Sequence, residues 1–235
     1  MRAAAGDVAL FSSLSAEETD INSERTLMRT TLILAALLAA APFAATAEGL
    51  SYSYVEGGWN RTEITVNGDS DDIDGGYIRG SWQIAEPVYL FAGYQRASND
   101  YGLANNITLE ATLQQANLGI AYRQEMTERV DFIADASVLR TKIEAEAKQA
   151  GSRIFSASSA NRNFGMVSLG LRGKPSPRTE AWIKAGYIDG NDLDQGEFAG
   201  TLGGQVNFTP TWGLVGEVEF IDDANQYKVG VRASF

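Results

Sequence analysis

The sequence has no cysteine and no histidine. Without cysteine, neither disulfides nor thiolate metal sites can hold the fold, so stability must come from hydrogen-bonded structure and apolar burial. Without histidine, Ser-His-Asp and Cys-His nucleophilic chemistry, imidazole metal sites and the commonest general base near neutral pH are excluded. Any catalysis would fall to carboxylates, lysine or tyrosine. Basic residues are scarce too: 19 Lys and Arg stand against 30 Asp and Glu, and the formal charge of −11 repels nucleic acid. No segment reaches the roughly 20 apolar residues that an ordinary membrane-spanning helix needs, and none after Glu48 shows a helical period.

What is present begins with an export segment. Residues 28–47, MRTTLILAALLAAAPFAATA, supply a positive start, an apolar stretch over 32–41 and a small-residue ending. This is the pattern of a signal-peptide helix, with Ala45 and Ala47 framing cleavage before Glu48. Residues 1–27 do not belong to it, because Met28 and Arg29 already provide its start and charge. They read as a start assigned too early or as a disordered extension.

From Glu48 onward, short segments alternate apolar and polar residues and are separated by turn chemistry. Strands are expected near 50–66, 73–84, 87–99, 108–123, 129–145, 161–173, 179–190, 196–208, 212–222 and 225–235. Short connections at 86–87, 124–128, 174–178 and 209–211 alternate with mostly longer, acidic or polar ones at 67–72, 99–106, 147–160, 189–195 and 222–225. That asymmetry is expected of an outer-membrane barrel.

Aromatic residues test the layout. A girdle is expected at the short-turn ends from Trp82, Tyr89, Tyr122, Trp182, Phe208 and Trp212, and toward the loop ends from Trp59, Tyr77, Tyr187 and Phe220. Eight residues at about 3.4 Å each, tilted by about 40°, span roughly 20 Å, close to the height of a lipid-facing band. A charge facing lipid at mid-depth costs about 2–4 kcal/mol, so Asp131, Asp135, Lys184, Glu217, Glu219, Lys228 and Arg232 should point inward. A soluble ligand-binding barrel would have the opposite arrangement. In the last strand, Tyr227, Val229, Val231, Ala233 and Phe235 share one face up to the terminal residue. Such a strand ending in Phe resembles the signal that directs barrels to their insertion machinery.

The segment Glu48-Gly49-Leu50-Ser51-Tyr52-Ser53-Tyr54-Val55-Glu56-Gly57-Gly58, together with the export segment before it, resembles the start of a small outer-membrane β-barrel family of xanthomonads. That family, within the OmpA-like barrel superfamily, was linked to quorum sensing and plant-immunity activation. The strand and glycine pattern, including residues 89–95, extends the resemblance along the mature chain. It implies an outer-membrane location, with shedding in vesicles, and brings no catalytic residues.

Two acidic stretches invite a divalent-cation reading: Asp69, Asp71, Asp72 and Asp74, and Asp189, Asp192 and Asp194. Neither completes an EF-hand pattern. Solvated acidic loops are the expectation, and cation bridging to lipopolysaccharide phosphates is the alternative. Asp131 with Asp135, or Glu217 with Glu219, could pair carboxylates, but interior ion pairs explain them better.

The expectation is therefore an all-β transmembrane antiparallel up-and-down barrel over residues 48–235, of about ten strands with eight as the alternative. No enzymatic activity, cofactor or nucleic-acid partner is expected. Lipid, lipopolysaccharide and the barrel-assembly machinery are the expected partners, and a host or surface partner is left open, its identity unknown. A structural, adhesive or loop-presenting role leads; a narrow channel for small solutes or ions and a soluble barrel with an apolar ligand are the alternatives.

Overall fold

A computed structural model of the chain describes residues 49–66, 69–103, 107–149, 152–158, 161–190, 195–221 and 224–235. The expected signal segment with Ala45, Ala47 and Glu48, the extension at 1–27, and Asp192 and Asp194 lie outside the described residues.

The strands are β1 (Tyr54–Val66), β2 (Asp69–Ala85), β3 (Val88–Leu103), β4 (Ile107–Thr127), β5 (Val130–Gln149), β6 (Ser152–Ser158), β7 (Arg162–Ser176), β8 (Thr179–Gly190), β9 (Glu197–Asn207), β10 (Trp212–Ile221) and β11 (Ala224–Ser234). All neighbours pair antiparallel, and ten strands close a ring in which β5 is followed by β7. The closing ladder joins β1 to β11 from Tyr54↔Ser234 to Ile64↔Ala224. The ring therefore has ten strands rather than eight. β6 stands outside it, paired along the far part of β5 from Glu144↔Ser158 to Gln149↔Ser152.

The sequence favours this arrangement because its apolar period is two, which gives each strand one face toward the lumen and one outward. On β10, Leu214 and Phe220 are exposed while Val215 and Glu217 are buried. The two ends also differ. Two-residue turns at Glu86-Pro87, Glu128-Arg129 and Pro177-Arg178 close one end. At the other end, several connections expected as loops are strand instead: Asp69–Asp72 belongs to β2, Asn99–Leu103 to β3, and 147–149 to β5. Polar residues remain extended there because each gains a ladder partner on the adjacent strand, as in Asp72↔Glu63 and Asp100↔Glu110.

Gly58 marks a close approach in the closing ladder. A Cβ there would overlap the Val229 carbonyl oxygen and the Gly230 Cα. Gly58→Ala should destabilise the barrel by about 1–3 kcal/mol through forced backbone shifts. Gly216→Ala is the control, since nothing lies within 4 Å of its added Cβ. Equal urea midpoints for the two variants would remove the packing argument.

Candidate functional site

The lumen is filled at the short-turn end by the segment just before β1. Gly49–Ser53 leads into β1, and Tyr52 enters the barrel, where it is almost wholly buried with Tyr89, Ala121 and Ile133; Leu50 and Phe91 pack against this cluster. The Tyr52 ring lies 4.8 Å from that of Tyr89 and has the guanidinium groups of Arg172 and Arg123 at 4.8 and 5.1 Å from its centre. Its hydroxyl donates to Asp131 at 2.7 Å, and Arg123 contacts the same carboxylate oxygen at 3.3 Å. Arg172 donates to Glu180 through Nε and Nη2.

A second layer of charge crosses the barrel beside this plug. The Glu56 side chain is fully buried and accepts from Tyr77 at 2.6 Å and from Arg232 Nε at 2.7 Å. Arg79 Nη2 stands 2.8 Å from Glu56, close enough for an ion pair but not aligned as a hydrogen bond. Arg79 Nη1 donates to Glu217 at 2.6 Å. The other Glu217 oxygen accepts from the Trp182 indole at 2.9 Å. Lys228 joins Glu217 at 3.7 Å and Glu219 at 3.0 Å, and Lys184 joins Asp135 at 2.6 Å. Arg232 also covers the Tyr54 ring at 4.0 Å. Each carboxylate is thus answered by a cation, the condition for keeping charge in a low-dielectric interior. A cavity of about 400 Å³ remains in the lumen, lined in part by Thr62, Thr201, Gln226 and Lys228.

The seven residues expected inside, Asp131, Asp135, Lys184, Glu217, Glu219, Lys228 and Arg232, all line this interior. Several residues that carry the network were not anticipated as lumen residues: Tyr52, Glu56, Arg79, Arg123, Arg172 and Glu180.

Outside, exposed Leu90, Leu118, Ile120, Val138, Val167, Leu169, Ile183, Leu202, Leu214, Val229 and Val231 make an apolar belt. Of the aromatics expected in its girdles, Trp82, Tyr122 and Phe208 are exposed on the outer face toward the short turns, and Trp59, Tyr187 and Phe220 are exposed farther along. Trp212 is half-buried, shares parity with exposed Leu214 and pairs with Ala233. Three expectations fail. Tyr89, Trp182 and Tyr77 are only 7%, 7% and 8% exposed and point into the lumen. They share parity with residues that must be inside: Trp182 with Lys184, Tyr77 with Arg79, and Tyr89 with buried Gln95.

Beyond the belt the outer face is charged. Lys142 and Lys148 donate to Glu144 and Glu110, and these bonds hold both carboxyl groups below the ordinary range. Arg153 meets Glu146 at 2.8 Å. The first acidic stretch is not an open loop, because Arg61 lies across Asp72 and Asp74 at 3.3 and 2.8 Å. A guanidinium thus occupies the position suggested for a divalent cation. Asp69 and Asp71 lie on β2, and Asp189 is exposed on β8. In the last strand, Val229 and Val231 face outward with Phe235, whose ring is 5.7 Å from that of Trp82.

No protein-family model matches the chain, and no curated relative does. Among solved structures, the translocator domain of autotransporter NalP from Neisseria meningitidis aligns with a TM-score of 0.51 at 13% identity, covering 92% of this chain and 98% of that one. Neisserial surface protein A aligns at 0.42 and 16% identity over 80% and 100% of the two chains. The attachment invasion locus protein Ail of Yersinia pestis aligns at 0.44 and 11% over 78% and 97%. The NalP likeness concerns the fold, and it runs over nearly the full length of both chains: an antiparallel β-barrel, closed here by ten strands.

Proposed function

We propose that residues 48–235 form an outer-membrane β-barrel with a plugged lumen that presents its long hairpins at the cell surface in a structural or adhesive role. The observation that carries this reading is the arrangement of the two faces: an apolar belt outside, and buried ion pairs inside. In water this arrangement would leave the belt exposed; in a bilayer every backbone group in the closed ring keeps its partner. A soluble barrel for an apolar ligand needs the opposite arrangement.

The short turns would face the periplasm and the long hairpins the exterior. Trp82, Tyr122, Phe208 and Trp212 would then form the inner girdle, with Trp59, Tyr187 and Phe220 toward the outer one. Tyr227 to Phe235 would serve as the strand read by the assembly machinery. The resemblance to the xanthomonad family agrees with this placement.

The lumen cavity supports a narrow channel as the second reading. Reconstituted in planar bilayers, the plugged barrel should give no discrete conductance steps at several voltages. Regular steps would favour the channel. Membrane fractionation tests the placement itself: the protein should pellet with outer membranes and shift on a gel upon boiling.

A further inference from the structure

Resting on the membrane-barrel reading above, we infer that the outer face of β4, β5 and β7 holds one lipopolysaccharide molecule, with Arg140 taking a lipid A phosphate. A groove of about 720 Å³ runs along this face, lined on its outer side by Ala116, Leu118, Val138, Arg140, Asn163 and Gly165. These residues form two adjoining ladder rows, Ala116–Arg140–Asn163 and Leu118–Val138–Gly165. The small side chains of Ala116 and Gly165 lower the floor, while exposed Leu118 and Val138 offer apolar surface for an acyl chain.

Arg140 gives the groove its polarity. It lies about ten residues beyond the β4–β5 turn, which at about 3.4 Å per residue and a 40° tilt is roughly 26 Å, the upper edge of the lipid-facing band. Its neighbours of like charge on the outer face are engaged: Arg61 with Asp72 and Asp74, Lys142 with Glu144, Lys148 with Glu110, and Arg153 with Glu146. Arg96, on β3, sits in the field of Glu110 and Glu144. Arg140 has no carboxylate partner among the described residues. Asp189, at the far edge of the groove, has its carboxylate turned to the Gly190 N–H at 2.7 Å. A planar guanidinium above an apolar slot suits a phosphate carried on acyl chains, because the fork donates to two phosphate oxygens while the chains fill the slot.

The test uses the full barrel purified from outer membranes in mild detergent. Lipid A phosphate per protein is measured, and the delipidated barrel is then titrated with purified lipopolysaccharide and, separately, with phosphatidylglycerol vesicles. Arg140→Ala should weaken lipopolysaccharide binding about tenfold, and Arg140→Lys less. Gly165→Leu should weaken it as well by filling the slot; its added Cβ meets nothing nearer than the Asp189 carbonyl oxygen at 4.0 Å, so the backbone tolerates it. Wild-type binding by both Arg140→Ala and Gly165→Leu, or phosphatidylglycerol binding as tight as lipopolysaccharide, would overturn the site. The boiling shift of each variant is read in parallel. Loss of that shift in the wild type itself would overturn the barrel reading instead.

Discussion

Replacing Glu56 with alanine is expected to destabilise the barrel by about 3–5 kcal/mol, the range for removing one partner of a buried ion pair. The carboxylate accepts from Tyr77 and Arg232 and stands 2.8 Å from Arg79, with no solvent exposure of its side chain. Its removal leaves the nearly buried Arg232 without its only ion-pair partner among the described residues. Arg79 keeps Glu217, so its loss is partial. Water entering the lumen would re-solvate the cations and lower the cost toward the bottom of the range. Glu56→Gln preserves shape and one acceptor, and should lose less than Glu56→Ala. Arg61→Ala, which breaks an exposed pair, should leave stability unchanged within error. Urea unfolding of the refolded barrel in micelles, followed by tryptophan fluorescence, measures all three. A midpoint for Glu56→Ala equal to that of Arg61→Ala would mean the lumen is wet enough to screen the network, and the plugged-lumen reading would fall with it.

The same network shows how much was legible in the sequence. Strand number, closure and the inward placement of Asp131, Lys184, Glu217 and Arg232 follow from period-two patterning and from the cost of charge in lipid. The girdle reading failed where it treated aromatic identity as stronger than parity. Trp182 and Lys184 are two residues apart on one strand, so they must share a face. Placing Lys184 inside therefore places Trp182 inside as well, where its indole N–H finds Glu217. Tyr77 and Arg79 pose the same choice, and the tyrosine hydroxyl serves the buried Glu56. Buried Tyr and Trp keep a polar partner, so a lumen lined with carboxylates suits them as well as a membrane interface does.

Other features had no readable signal. Tyr52 precedes the first strand, and its packing between Arg123 and Arg172 depends on residues more than seventy positions away being brought together by closure. Glu56 lies in a Gly-rich stretch whose alternation is weak, so its inward position emerges only from the register with Arg232 on β11 and Arg79 on β2. The length of the hairpins was underestimated because acidic, Asn-rich stretches read as loops. Beyond the apolar belt no facial hydrophobicity is required, and pairing with the adjacent strand alone sustains the extended backbone.

Deleting Phe235 is expected to reduce the inserted protein several-fold, for two separable reasons. The first lies in the seam. The Phe235 N–H donates to the Ser53 carbonyl at 3.0 Å, and its own carbonyl accepts from the Ser51 hydroxyl at 3.0 Å. These bonds lie beside Tyr54↔Ser234, the pair where the β1–β11 ladder begins, and the ring packs on Trp82 across β1. Loss of the residue frees the segment that carries Tyr52 into the lumen, so closure weakens where the two ends of the barrel meet. The second reason rests on the proposed reading of Tyr227 to Phe235 as the strand recognised during insertion: on that reading, deletion removes the aromatic at the end of the face shared by Val229, Val231 and Ala233. Refolding the purified chain into micelles separates the two. A truncated chain that closes normally in micelles but is degraded in cells assigns the defect to recognition, whereas low yield in both assigns it to the seam. Ser51→Ala, which removes only the hydroxyl bond, should refold and insert close to the wild type. Outer-membrane levels of the truncated chain equal to those of the intact protein would show that neither contact matters, and the C-terminal strand would then be an ordinary member of the ring.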